Sequence, residues 1–134
     1  MTPSDQLRTE RIRADRERLQ RQFRLYWQAI PEAPAIASEA VLFEDAPRWR
    51  YDFANHVAMV AIEVQGGIWR AKGAHNTGTA ILRDTRKSRF AQLRGWHVLP
   101  ICSEDITLTQ VEGIARFIRE KAIQNAEPYK EAKG

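Results

Sequence analysis

Apolar residues at Ile12, Leu19, Phe23, Tyr26 and Ile30 recur at roughly helical spacing, with charged residues between them and no Gly or Pro in the run. That period predicts an amphipathic helix from about Asp5 to Ala29, ended by Pro31 and Pro34. Val41 to Glu44 reads as a short strand closed by Asp45-Ala46-Pro47. The period then drops to two. Trp49, Tyr51 and Phe53 point one way and Arg50 and Asp52 the other, which predicts a strand over Arg48–Ala54. Asn55-His56 marks a turn. Val57 to Gln65 is a nearly continuous apolar run, as in a central strand covered on both faces. Within it Glu63 and Gln65 share a face with Met59 and Ala61. Short turns between the three strands predict an antiparallel meander.

Gly66-Gly67 breaks the sheet, and the stretch to Gly78 reads as a long surface loop carrying Trp69, Arg70, Lys72, His75 and Asn76. Loops of that length are often functional. A helix is expected from about Thr79 to Arg94, stopped by Gly95 at its C′ position. Trp96–Ile101 is another apolar strand. Thr107-Leu108-Thr109-Gln110 resembles a capping box that opens a last helix, with Val111, Ile114, Ile118 and Ala122 on its inner face. From about Ala126 the chain is polar. The order is helix, three strands, helix, strand, helix, an α/β arrangement without internal repeats. The 134 residues suit one domain: an N-terminal helix over 1–30, a core over 41–101 and a C-terminal helix over 107–125.

The single cysteine, Cys102, rules out an intrachain disulfide and a cysteine zinc site; it reads as a small structural side chain. The charged N-terminus shows no signal peptide, and no apolar run approaches the ~20 residues of a membrane span. A cytoplasmic protein without a membrane partner is expected. The net charge is +4 and the isoelectric point about 9.6, and its placement matters more than its size. Arg8 to Arg24 holds seven arginines against Glu10, Asp15 and Glu17. Arg48 to Arg94 holds nine basic residues against Asp52, Glu63 and Asp84, and the remainder is net acidic. A basic middle is what a phosphate-binding surface needs.

The acids inside that basic stretch need a reason. Asp52 and Glu63 lie on neighbouring strands in apolar or aromatic settings. An isolated carboxylate at the end of a buried strand is costly unless paired or bound to a metal. Two carboxylates suit Mg²⁺; salt bridges to Arg48, Arg50 or Arg70 are the alternative. Lys87, three residues after Asp84, is placed to orient a water or stabilise phosphorane charge, or to form an ordinary surface ion pair with Asp84. His75 is a candidate for phosphate contact or proton transfer, or simply an exposed loop histidine. Trp69 is a candidate for base stacking, or for closing over the core.

Five segments together resemble a known group: Arg48-Trp49-Arg50-Tyr51-Asp52-Phe53-Ala54, Ile62-Glu63-Val64-Gln65-Gly66-Gly67-Ile68-Trp69, His75-Asn76-Thr77-Gly78, Asp84-Thr85-Arg86-Lys87 and Leu93-Arg94-Gly95-Trp96-His97-Val98-Leu99. They look like small phage and prophage endonucleases of the PD-(D/E)XK superfamily, related to very-short-patch repair nucleases. The resemblance covers about Val41 to Ile101 and implies a restriction-endonuclease-like αβββαβ core, a mixed sheet flanked by helices. It implies a DNA endonuclease with Mg²⁺ as cofactor and Mn²⁺ as substitute. Asp52 and Glu63 would be the metal-binding carboxylates, and the Val64 backbone carbonyl would complete the shell. Where the superfamily pattern has Lys after Glu-X, this chain has Gln65, and Lys87 looks like the substitute from the following helix. Arg48, Arg50, Trp69, Arg70, Lys72, His75, Asn76, Arg83 and Arg89 would contact nucleic acid. A homodimer would supply the two active sites that a double-strand break needs. Two other classes compete: a nuclease-fold DNA-binding module without activity, and a protein-interaction subunit docked through the Arg-rich helix.

Overall fold

A computed structural model describes residues 2–66 and 78–126. It is an α/β arrangement of three helices and a four-stranded mixed sheet. Helix α1 spans Pro3–Ala29. It starts earlier than the apolar period suggests, because Thr2 and Asp5 form a reciprocal cap and Pro3 stands in the first turn. Its buried seam is Leu19, Gln20, Phe23 and Trp27. Ile12, expected on that seam, is 39% exposed, and residues 2–18 lie outside the core.

Strand β1 is Ala37–Val41, β2 is Arg50–Asn55 and β3 is Val60–Gln65. They pair antiparallel in sequence order, as the expected meander requires. Their bounds differ from the expected ones for physical reasons. β1 reaches only the first residue of the apolar Val41-Leu42-Phe43 run, because Leu42 and Phe43 leave the edge of the sheet and pack into a core instead. The β1–β2 connection is therefore eight residues, 42–49, rather than a short turn. β3 starts at Val60 because His56 to Met59 forms the turn, with Met59 at φ 55° and Val57 59% exposed.

Helix α2 covers Gly78–Gln92 and returns the chain to β4, His97–Cys102, which pairs parallel to β3. The Gly95 N–H donates to the Gln92 carbonyl and the Trp96 N–H to that of Ala91, both at 3.1 Å, with Gly95 at φ +89°. That is a Schellman stop, and its left-handed residue is where glycine carries no Cβ penalty. A 3₁₀ turn, Ser103–Asp105, leads to α3, Leu108–Ala126. Thr107 Oγ1 accepts the Gln110 N–H at 3.3 Å, as the capping pattern predicted. Among the described residues no helix is long and apolar enough to cross a membrane.

The sheet separates two cores. On one face α1 and α3 close over Phe53, Val60, Ile62 and Val64 with Phe23, Trp27, Val111, Ala115 and Ile118. On the other, Ala91 of α2 and Trp96 pack on Tyr51, Ala54 and Ala61. β3 is thus covered on both sides. Tyr51 and Phe53, which strict alternation puts on one face, belong to different cores. The pleat of β2 is therefore irregular at Asp52 between them, beside Glu39, whose φ of 48° marks the facing stretch of β1. Phe23 is fully buried and stacks on Phe53 with ring centroids 4.9 Å apart. Phe23→Ala should cost about 3–5 kcal/mol, read as a lower urea midpoint; a loss below about 1 kcal/mol would mean that α1 is not part of the core.

Candidate active site

The β2–β3 ladder ends toward the site at the Phe53–Ile62 pair. Asp52 and Glu63 are the next residues on the two strands, where β2 and β3 part. Asp52 turns its carboxylate into the gap, and Oδ2 accepts the Val64 N–H at 2.7 Å. The side chain takes the place of a backbone acceptor from β2. Asp52 is 1% exposed and Glu63 15%. Like charges facing each other across two strands repel, so the pair needs cations nearby.

Two cations serve it, from opposite sides of the sheet. On the α2 side, Lys87 Nζ lies 2.5 Å from Glu63 Oε1 and 4.4 Å from the centre of the Tyr51 ring. Tyr51 steadies this turn of α2 by donating its hydroxyl to the Lys87 carbonyl at 2.9 Å. On the α1 side, Arg16 lies 2.7 Å from Asp52 Oδ1 and 3.3 Å from Glu63 Oε2. Gln20, one turn further along, donates to Asp52 Oδ1 at 2.7 Å and to Glu39 Oε1 at 3.1 Å. Burial works against the charge of Arg16, but the field and hydrogen bond of Asp52 outweigh it and raise its pKa.

Burial pushes the Glu63 carboxyl up to about 7; the charge of Asp52 adds to this and Lys87 opposes it. Burial, then the charge of Glu63, pushes the Tyr51 hydroxyl up to about 12. A raised carboxyl favours the protonated form in the fold. Its contribution to stability is therefore complete below its ordinary pKa of 4.5 and is lost as pH rises through about 7. In chelator-treated protein, wild type should lose stability relative to Glu63→Gln as pH rises across that window. Parallel stability curves for the two proteins would refute the assignment of this proton.

The sequence-based candidates divide. Asp52, Glu63 and Lys87 come together. Lys87 reaches Glu63 while Asp84, its expected surface partner, takes Arg83 at 3.6 Å. The carboxylates pair with Arg16 and Lys87, in place of the Arg48, Arg50 or Arg70 considered from sequence. Gln65 is exposed at the end of β3 and, with Asp84, Ser88 and Arg89, lines an open groove of about 570 Å³. Arg48 lies over the Trp49 ring at 5.7 Å, and Arg50 is exposed at the start of β2. The Val64 contact recorded at the site is made by its N–H. Trp69, Arg70, Lys72, His75 and Asn76 lie outside the described residues. Cys102 is half-buried, and burial pushes its thiol up, away from a nucleophilic thiolate. Sequence reasoning missed Arg16 and Gln20. The available signal was Gln20 itself, a polar residue between Leu19 and Phe23, with Arg16 four residues earlier on the same stripe.

Among the described residues no group of three or more His, Cys, Asp or Glu side chains is arranged around a common metal position. Two carboxylates remain: Val64 N–H holds Asp52 Oδ2 and Lys87 holds Glu63 Oε1, while the other two oxygens face the same guanidinium nitrogen, with Gln20 also donating to Asp52 Oδ1. That donor set fits a hard divalent ion that keeps several waters, as Mg²⁺ does. Comparison with protein-family models, curated proteins and solved structures finds no match to this chain.

Proposed function

We propose that the chain is a metal-dependent DNA endonuclease of the PD-(D/E)XK type, with Asp52 and Glu63 as metal ligands and Lys87 as the charged assistant. One observation carries the reading: oxygens of both carboxylates converge on a single cationic nitrogen while Lys87 holds the outer oxygen of Glu63. The element order, a helix, three antiparallel strands, a crossover helix and a parallel strand, supports it. Gln65 stands where the superfamily pattern has lysine, and Lys87 places its ammonium on Glu63 from α2 instead.

Asp52 and Glu63, with the Val64 carbonyl as the implied third ligand, would hold Mg²⁺ or Mn²⁺, whose chemistry there would be activation of a water and withdrawal of charge from a phosphate oxygen. The protein's own groups do the rest. Val64 N–H and Gln20 fix the Asp52 rotamer. Lys87 neutralises negative charge developing beside Glu63. Arg89, exposed on the groove that Gln65 also lines, would hold the DNA backbone. Arg16 in the position of a cation favours a second reading, a DNA-binding module that does not cut.

Supercoiled plasmid with Mg²⁺ or Mn²⁺, beside an EDTA control, separates the two. Metal-dependent nicking or linearisation establishes the nuclease. Salt-sensitive binding without cleavage of plasmid, branched or single-stranded DNA establishes the inactive module.

A further inference from the structure

Arg16 takes no part in the reaction proposed above, yet it occupies the centre of the site. Each carboxylate offers two oxygens, and the outer ones have partners without it: Val64 N–H on Asp52 Oδ2 and Lys87 on Glu63 Oε1. Gln20, on the buried part of α1, donates at 2.7 Å to the inner oxygen Asp52 Oδ1 and holds it alongside Arg16. Arg16 bridges the two inner oxygens, Asp52 Oδ1 at 2.7 Å and Glu63 Oε2 at 3.3 Å. The carboxylates thus stay oriented when the guanidinium leaves.

The guanidinium also has somewhere to go. The Arg16 side chain is 48% exposed, against 1% for the Asp52 it contacts. It hangs from the solvent-facing half of α1, one turn before the buried seam begins at Leu19. A divalent ion bonds carboxylate oxygens at about 2.0–2.2 Å. A nitrogen 2.7 Å from the same inner oxygen occupies that space, so metal and guanidinium exclude each other sterically as well as by charge.

We propose that Arg16 is a built-in counter-cation that holds the Asp52–Glu63 pair ready in the metal-free protein and is exchanged for the divalent metal. It is a positioning residue that sets metal affinity. The inference rests on the metal-site reading above, and the test is chosen to tell the two apart.

Mn²⁺ alone, without DNA, is titrated by calorimetry into the full chain and its Arg16→Gln, Arg16→Lys and Asp52→Asn variants. Working at about pH 8.5 keeps Glu63 ionised. Arg16→Gln should bind Mn²⁺ about tenfold more tightly, the scale of one hydrogen bond to a charged group. Arg16→Lys, which keeps the charge, should stay near wild type, and Asp52→Asn should lose the site. Equal or weaker binding by Arg16→Gln, with wild type still binding, overturns the exchange and leaves the metal site standing. No binding by wild type, Arg16→Gln or Arg16→Lys overturns both. Should Arg16→Gln fail to fold, wild type decides: the Arg16 Nε–H resonance moves as Mg²⁺ is added, and a resonance that stays in place refutes the exchange.

Discussion

Asp52→Asn should lower metal-dependent DNA cleavage on the order of a thousandfold or more, equivalent to at least about 4 kcal/mol of barrier. The amide keeps the shape of the carboxylate, and its oxygen can still accept the Val64 N–H. What it loses is the charge that a hard cation requires, and its NH₂ would face the Arg16 and Gln20 donors that now meet Oδ1. Asp52→Ala is a less clean variant. It leaves a buried N–H unpaired at Val64, a cost of about 1–3 kcal/mol, so its activity has to be read beside a thermal melt. Cleavage by well-folded Asp52→Asn at near the wild-type rate would put the active site elsewhere.

Lys87→Met should slow cleavage about 10²- to 10³-fold, the usual loss of one transition-state donor. Methionine keeps the length of the side chain over the Tyr51 ring but removes the ammonium from Glu63. Lys87 opposes the upward push on Glu63. Without it the Glu63 carboxyl rises further and must be ionised at higher pH. The acid limb of the rate–pH profile should therefore move to higher pH as well as lower in height. A purely structural lysine would cut the amount of folded enzyme and leave the limb in place. Rates at subsaturating metal across pH, where proton and metal compete for Glu63, normalised to folded protein, make the distinction.

The order of elements was legible because strand and helix periods alternate cleanly, and the strongest boundary signals were local ones, such as Gly95 after α2 and Thr107 before α3. β1 was not legible. An edge strand of Ala, Ser and Glu residues carries little apolar period, and the adjacent Leu42 and Phe43 are apolar because a second core needs them. Asp52 and Glu63 stood out as charges in apolar strands; the spacing of Lys87 from Asp84 made it a candidate with an ion pair as the alternative, and the resemblance of its segment favoured the role beside Glu63. Arg16 looked like one of seven similar arginines. Only the docking of α1 across the sheet, through Phe23 on Phe53 and Gln20 on Asp52, singles it out. Contacts spanning 36 and 47 residues of chain leave no mark on local periodicity.

The seam of α1 rests partly on α3: Phe23 and Trp27 share their core with Val111, Ala115 and Ile118, and Arg119 donates to the Glu32 carbonyl at 3.2 Å. During synthesis α1 emerges before the strands and before α3, so every surface it docks on is made after it. Phe53 and Asp52 of β2 offer the first of that surface, and Val111, Ala115 and Ile118 of α3 the last. The seam that carries Arg16 to the carboxylate pair is therefore complete only with α3 in place, which ties the occupancy of the site to the far end of the described chain.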